Sequence, residues 1–253
     1  MKHYTMKEIV SSYSPAKRKE SSIWARVFSR PISFVLTYFF INIGLSANAM
    51  SVVSIIEELI GFALILIGGK CLPWGVALYV FWHILDCCDG NIARIKKSSS
   101  YAGEYFDAVS GYFAPAFIYI TVGVAAYRTT IVSEKYAYWF IVLGAVASIS
   151  DVLGRLVYQK YLVTEYRLNL IATKGNIDEQ RASGVRHILD VIMKNLAHAS
   201  LFMPLLILAC IFNRYDVLIA LYGLYCFVLM LFEVSYFVNK GSKLNQRVEA
   251  LKK

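Results

Sequence analysis

Residues 86–111 read DCCDGNIARIKKSSSYAGEYFDAVSG. Apolar runs flank this stretch on both sides, LPWGVALYVFWHIL at 72–85 and YFAPAFIYITVGVAAY at 112–127. Three aspartates and an arginine therefore fall at the ends of segments that otherwise suit a bilayer. An ionisable side chain within a membrane is penalised by about 3 kcal/mol on insertion scales, so each one is a functional candidate by default. Asp86 and Asp89 are three residues apart and share one helix face; Gly103, Asp107 and Gly111, four apart, share another. The short polar turn at 96–101 makes the two helices antiparallel neighbours. Their faces can then meet, bringing three carboxylates together at one end of the pair.

The whole chain agrees with a membrane setting. Of its 253 residues, 58% are hydrophobic and 17% charged, against roughly half and a quarter in an ordinary soluble domain. The expected fold is an all-α integral membrane protein with one membrane domain. A span needs about 20 mostly apolar residues, and six candidates satisfy this, at about 48–69, 72–95, 102–127, 136–161, 190–213 and 216–239. The run PISFVLTYFFINIG at 31–44 is too short to cross and follows Lys17, Arg18, Lys19, Arg26 and Arg30, with Trp24 and Phe28 interleaved. It reads as an N-terminal amphipathic helix lying in the interface, its cations near anionic head groups. The organisation is then a basic segment over 1–30, a membrane domain over 31–240 that includes the 31–44 helix, and a basic tail over 241–253. The chain shows neither a solenoid repeat nor the pattern of a cleavable signal peptide.

Six spans put both termini on one side. That side receives most of the 26 lysines and arginines; the other receives Lys70, Arg128, Lys135 and Arg214. The positive-inside rule makes the basic side cytoplasmic, together with the acidic motif. The net charge of +9 then belongs to a surface facing membrane lipids. Cations spread over several pieces, with no single stripe, argue against nucleic acid. The polar insert at 162–189 is placed to cover a cytoplasmic cavity. The five cysteines have no disulfide context, and Cys87 and Cys88 read as small wall residues.

Three anions in a low-dielectric site repel one another, and a divalent cation relieves that repulsion; carboxylate oxygens suit Mg2+, Mn2+ or Ca2+. Gly90 and Ala93 lack bulk, so a ligand can approach the backbone. Arg94 offers a fork of donors matched to phosphate oxygens. These positions together suit a metal-bridged diphosphate.

The full string resembles the signature of the CDP-alcohol phosphotransferase family, D-x2-D-G-x2-A-R-x8-G-x3-D-x3-D. Asp86, Asp89, Gly90, Ala93, Arg94, Gly103 and Asp107 match it in type and spacing. Upstream, ANAMS at 47–51 keeps Asn48 of the family's Pro-Asn-x-Leu-Thr, with Ser51 in place of threonine. The resemblance implies cleavage of a CDP-linked donor, commonly CDP-diacylglycerol, transfer of its substituted phosphate to an alcohol acceptor, and release of CMP in phospholipid or related lipid synthesis. It implies Asp86, Asp89 and Asp107 as metal ligands of a two-metal Mg2+ or Mn2+ site. It further implies Gly90, Ala93, Arg94, Gly103, Asn48 and Ser51 at the nucleotide, and a homodimer. The eighth position is Gly111, where the family has an aspartate that holds the second metal and serves as proton acceptor. Glycine does neither. Asp107 remains as a catalytic candidate, and His83, one turn before Asp86, and Glu104, beside Gly103, are candidates to replace the missing base. The alternative is a family member that binds the nucleotide without turnover. A cation transporter is a remote third reading, because its acids would be distributed across the bilayer.

Arg155, with Asp151 one turn before it, reads either as a site for an anionic acceptor or as a self-neutralised internal pair. Glu57, Glu58 and Glu233 interrupt spans and read mainly as structural, as does His198.

Overall fold

The computed structural model describes residues 3–98, 101–172 and 196–244, leaving aside the side chains of Glu20, Ala102, Glu104 and 168–172. All regular structure among the described residues is helical. Two short helices, α1 (Met6–Ser11) and α2 (Pro15–Glu20), precede a π-helical turn at Ala25–Ser29 and α3 (Arg30–Asn42). Then come α4 (Ala47–Ile67), α5 (Leu72–Lys96), α6 (Tyr101–Thr129), the single turn α7 (Glu134–Ala137) and α8 (Trp139–Ala172). The chain closes with α9 (Phe202–Phe212) and α10 (Tyr215–Ser242).

Local sequence explains the boundaries. Ser46 caps α4 by accepting from the Ala49 amide at 3.1 Å. Gly68 ends it at φ 76°, a conformation costly for residues with a Cβ. Pro73 sits in the first turn of α5, where no helical N–H is missed. Lys97 turns the chain out of α5 at φ 50°.

Five helices are long and apolar enough to cross a bilayer, within 47–67, 69–96, 105–129, 134–167 and 215–242, which suggests a multi-pass membrane protein. α4 packs on α5 and on α6, α6 on α8, and α8 on α10. The short turn at 96–101 does not lay α5 directly along α6 as expected: α4 lies against both, and α5 and α6 meet through long side chains such as Trp82, which reaches Ser110. Aromatic rings fill the centre: Tyr79 stacks on Trp82 at 5.5 Å, and Phe202 meets Tyr119 at 5.0 Å and Tyr222 at 4.7 Å. Outward faces carry Ile56, Ile60, Leu221, Leu224 and Val228, all exposed, as lipid contact requires.

Glycine contacts set the closest helix approaches. A Cβ built on Gly144 of α8 would collide with the carbonyl oxygen of Tyr119 on α6, and one on Gly123 would lie 2.6 Å from that of Phe140. Small residues at such crossings are the means by which helices associate in lipid. Gly144→Ala is expected to destabilise by roughly 1–3 kcal/mol, because backbone must move. Thermal unfolding in detergent, compared with Gly241→Ala, whose Cβ meets nothing within 4 Å, measures the effect.

Two expectations are modified. The fifth expected span, 190–213, is helical among the described residues only over Phe202–Phe212, preceded by bends and turns at 197–201. Those 11 residues reach about half a bilayer at 1.5 Å each, and 190–195 lie outside the described residues. The expected loop at 162–189 begins as helix: α8 continues through LVTEYRLNLIA to Ala172. Good helix formers and side-chain bonds one turn apart, Tyr161 Oη to Glu165 Oε1 at 2.8 Å and Thr164 Oγ1 to the Lys160 carbonyl at 2.8 Å, carry it on. Residues 173–189 and the tail beyond 244 lie outside the described residues.

The 31–44 segment forms α3 with an unusual polarity. Its buried row is Ser33, Thr37 and Ile41, while Val35, Phe39 and Ile43 are exposed. The polar stripe faces α5 and the apolar one faces outward, the reverse of a helix on a water-soluble core.

Candidate functional site

Asp86 and Asp89 lie in the second half of α5, and Asp107 lies two turns into α6. Each offers a carboxylate oxygen, and the three oxygens lie within 4.8 Å of one another. Asp89 is buried, Asp86 half-buried and Asp107 exposed. Like charges at that separation repel by roughly 3 kcal/mol per pair at an effective dielectric of about 20. Oxygens around one Mg2+, Mn2+ or Ca2+ ion sit about 2.0–2.6 Å from it, hence up to about 5 Å from one another. The three carboxylates therefore fit one hard divalent cation in both donor type and spacing.

Ser51 in α4 donates to Asp89 Oδ2 at 2.6 Å. This orients the most buried carboxylate, so the direct contact that Ser51 makes is to an acid rather than to open space. Asn48 is half-buried one turn earlier. Gly103 is half-buried on α6, four residues before Asp107. Glu104 is on the same helix, but its side chain lies outside the described ones. His83 is buried and its Nδ1 shares a 2.9 Å hydrogen bond with Ser29 Oγ, so that nitrogen faces the N-terminal segment. Gly111 has ordinary helical backbone, and a Cβ built on it meets no atom within 4 Å. Pro115, one turn further along α6, has no N–H to offer the Gly111 carbonyl.

Further along α5 the polar groups converge on Asn91, which is fully buried. Its Oδ1 accepts from Arg94 Nη2 at 2.6 Å and from Arg30 Nη1 at 3.2 Å. Its Nδ2 donates to Ser33 Oγ and Thr37 Oγ1, each at 3.1 Å. All four hydrogen-bonding positions of the amide are used. Arg94 also folds over Gly90, Nη1 lying 3.2 Å from where a Cβ would stand, so the guanidinium occupies the space beside the glycine. Ala93 is half-buried beside it. Asn91 was not singled out from the sequence; an amide inside an apolar helix, facing a Ser-x-x-x-Thr row, was the available signal.

A second polar cluster lies between α8, α10 and the 197–201 turns. Arg155 Nε pairs with Asp151 Oδ1 at 2.5 Å, and its Nη2 is 3.2 Å from His198 Nδ1. Tyr119 donates to Asp151 Oδ2 at 3.2 Å. Asp151 and Arg155 border a cavity of about 210 Å³ that Ser150, Tyr225 and Glu233 also line. His198 stacks on Trp82 at 6.3 Å, and Trp82 Nε1 donates to Ser110 Oγ at 3.0 Å. The cavity wall is thus linked through one indole to the residue before Gly111. Both carboxyl oxygens of Glu57 and of Glu58 are buried without a hydrogen-bond partner among the described residues. All five cysteines are free.

Five helices apolar enough to cross a bilayer, with a carboxylate cluster and arginines near it, suggest a multi-pass membrane protein. The family model for CDP-alcohol phosphatidyltransferase matches residues 44–238, and the chain belongs to that family. These are transferases that move phosphate-linked groups from CDP-alcohol donors to alcohol acceptors, typically with a divalent metal. No curated protein shows a significant match to the chain.

Proposed function

We propose that this protein transfers a substituted phosphate, phosphatidyl when the donor is CDP-diacylglycerol, to an alcohol and releases CMP, working at the cytoplasmic face of a six-span bundle with α3 in the interface. The observation that carries this reading is the convergence of Asp86, Asp89 and Asp107 within the region matched by the family. The three carboxylates would hold Mg2+ or Mn2+; Gly111 leaves a second metal with one ligand fewer. When bound, the cation neutralises charge on the diphosphate and on the leaving CMP. Ser51 keeps the Asp89 carboxylate turned toward the cluster. Arg94, with Gly90, Ala93, Gly103 and Asn48, forms the nucleotide side, where the guanidinium pairs with phosphate oxygens. Arg155 binds an anionic acceptor at the cavity it borders. With these groups preset, in-line attack depends mainly on positioning.

The purified protein, incubated with CDP-diacylglycerol, Mn2+ and a panel of alcohols, should release CMP only when metal and acceptor are both present. No release with any acceptor would remove the transferase reading. Arg155→Lys keeps the charge beside Asp151 but loses the planar fork; it should raise the acceptor KM by about tenfold and leave CDP binding unchanged.

A second reading, a nucleotide binder without turnover, is favoured by Gly111 and by the engagement of His83 with Ser29. Metal-dependent CDP binding without CMP release from any donor would select it.

A further inference from the structure

Arg30 lies outside the region matched by the family, residues 44–238, yet it reaches the motif helix. Its Nη1 donates to Asn91 Oδ1 at 3.2 Å and is 3.4 Å from the Cys87 carbonyl. Arg94 Nη2 donates to the same Asn91 oxygen at 2.6 Å. Two guanidinium groups are thereby held against one neutral atom. Neither pairs with a carboxylate among the described residues. The Nε atoms of both are buried and lack a partner. The Arg30 guanidinium lies over the Tyr13 ring at 5.1 Å, and its charge acts on Asp86 and Asp89 without a direct ion pair.

Such an arrangement is unfavourable by itself. Like charges repel, and buried donors without acceptors forfeit their hydration. A neutral amide satisfies one N–H of each group, whereas a guanidinium carries five. The fold nevertheless stabilises the pair from several directions: Ser33 and Thr37 fix Asn91, and α3 and α5 are bonded along the row. A phosphate group supplies what is missing, anionic oxygen acceptors on a compact tetrahedron. Arg94 sits across Gly90, next in sequence to Asp89, so the ligand bound here is adjacent to the carboxylate cluster.

We propose that Arg30, from the N-terminal segment, joins Arg94 in gripping a phosphate of the CDP-linked donor, so that the family's core is completed by residues outside it. This rests on the transferase or nucleotide-binding reading above. A membrane phospholipid head group has the same phosphate chemistry and is separated from the donor by the test.

Full-length protein in zwitterionic nanodiscs is titrated with CDP in Mn2+, and Mn2+ uptake is followed separately by electron paramagnetic resonance. Arg30→Gln should weaken CDP binding about tenfold, the loss of one charge-assisted contact, with Mn2+ uptake unchanged. Arg30→Lys should lie between, since it restores charge without the fork. Equal CDP affinity in the parent and both variants overturns the proposal while the functional reading stands; a parent that binds no CDP overturns both. The unaltered chain gives an independent readout that does not depend on a variant folding. Phenylglyoxal modification of Arg30, read by peptide mass spectrometry, should be slowed by CDP with Mn2+. Slowing by phosphatidylglycerol discs alone, with no further effect of CDP, assigns the pair to lipid head groups and overturns the donor assignment.

Discussion

Asp89→Ala is expected to abolish Mn2+ uptake and to lower metal-dependent CMP release by about 10³-fold or more. Asp89 is the most buried of the three carboxylates, 5% exposed, and the one oriented by a neighbour, through Ser51 at 2.6 Å. Its removal leaves Asp86 and Asp107, a two-carboxylate remnant with weak claim on a hard cation. The stability signature has a definite sign. Without metal, the three anions repel, so in EDTA Asp89→Ala should unfold at the same temperature as the parent or higher. Ser51 is not stranded, because its hydroxyl also lies 3.2 Å from the Ala47 carbonyl. At Mn2+ one hundredfold above its Kd the parent gains about 2.7 kcal/mol by mass action, and the variant gains nothing. Equal Mn2+ stabilisation of parent and variant would show that the cluster is not the metal site.

Gly111→Asp moves in the opposite direction. It should raise CMP release by about 10²-fold, the lower end of what a positioned base contributes. Three observations make the substitution feasible. Gly111 stands four residues after Asp107 on α6, its backbone is not in the left-handed region, and a Cβ there meets nothing within 4 Å. Asp costs a helix interior no more than Gly does, so the helix itself should tolerate the change. A fourth carboxylate adds repulsion, so this variant should unfold at a lower temperature than the parent in EDTA and recover in excess Mn2+. Unchanged CMP release, with Mn2+ and CDP binding intact, would mean that the missing base is not what limits turnover. The two variants together separate metal holding from proton transfer, since only the first should erase Mn2+ uptake.

Much of the site could be read from spacing. Asp86, Asp89 and Asp107 converge because helix periodicity and a short turn leave few alternatives. The same reasoning set five of the six expected spans close to observed apolar helices, the fourth running on past its expected end. It did less well where composition changes gradually. The stretch at 162–172 is polar enough to read as loop, yet continues α8, since helix propensity outlasts hydrophobicity past a membrane boundary. Residues 197–201 bend within a run that is apolar enough to suggest uninterrupted helix. His83 shares the helical face of Asp86 by spacing, but Ser29, distant in sequence, engages its ring.

The sequence by itself determined the membrane class and the chemistry of the acidic motif, because periodicity of 3.6 residues and the penalty for charge in lipid act locally along the chain; it did not determine that α4 packs against both α5 and α6. Only the tertiary structure decided that α3 turns its Ser33 and Thr37 stripe onto Asn91, that Arg30 shares that amide with Arg94, and that Asp151, Arg155 and His198 gather beside one cavity. The contacts that tie these groups together across the fold, Arg30, Ser33 and Thr37 to Asn91 and Arg155 to His198, join residues 40 or more positions apart. They arise from how buried polar groups find partners once helices pack, which no local pattern encodes.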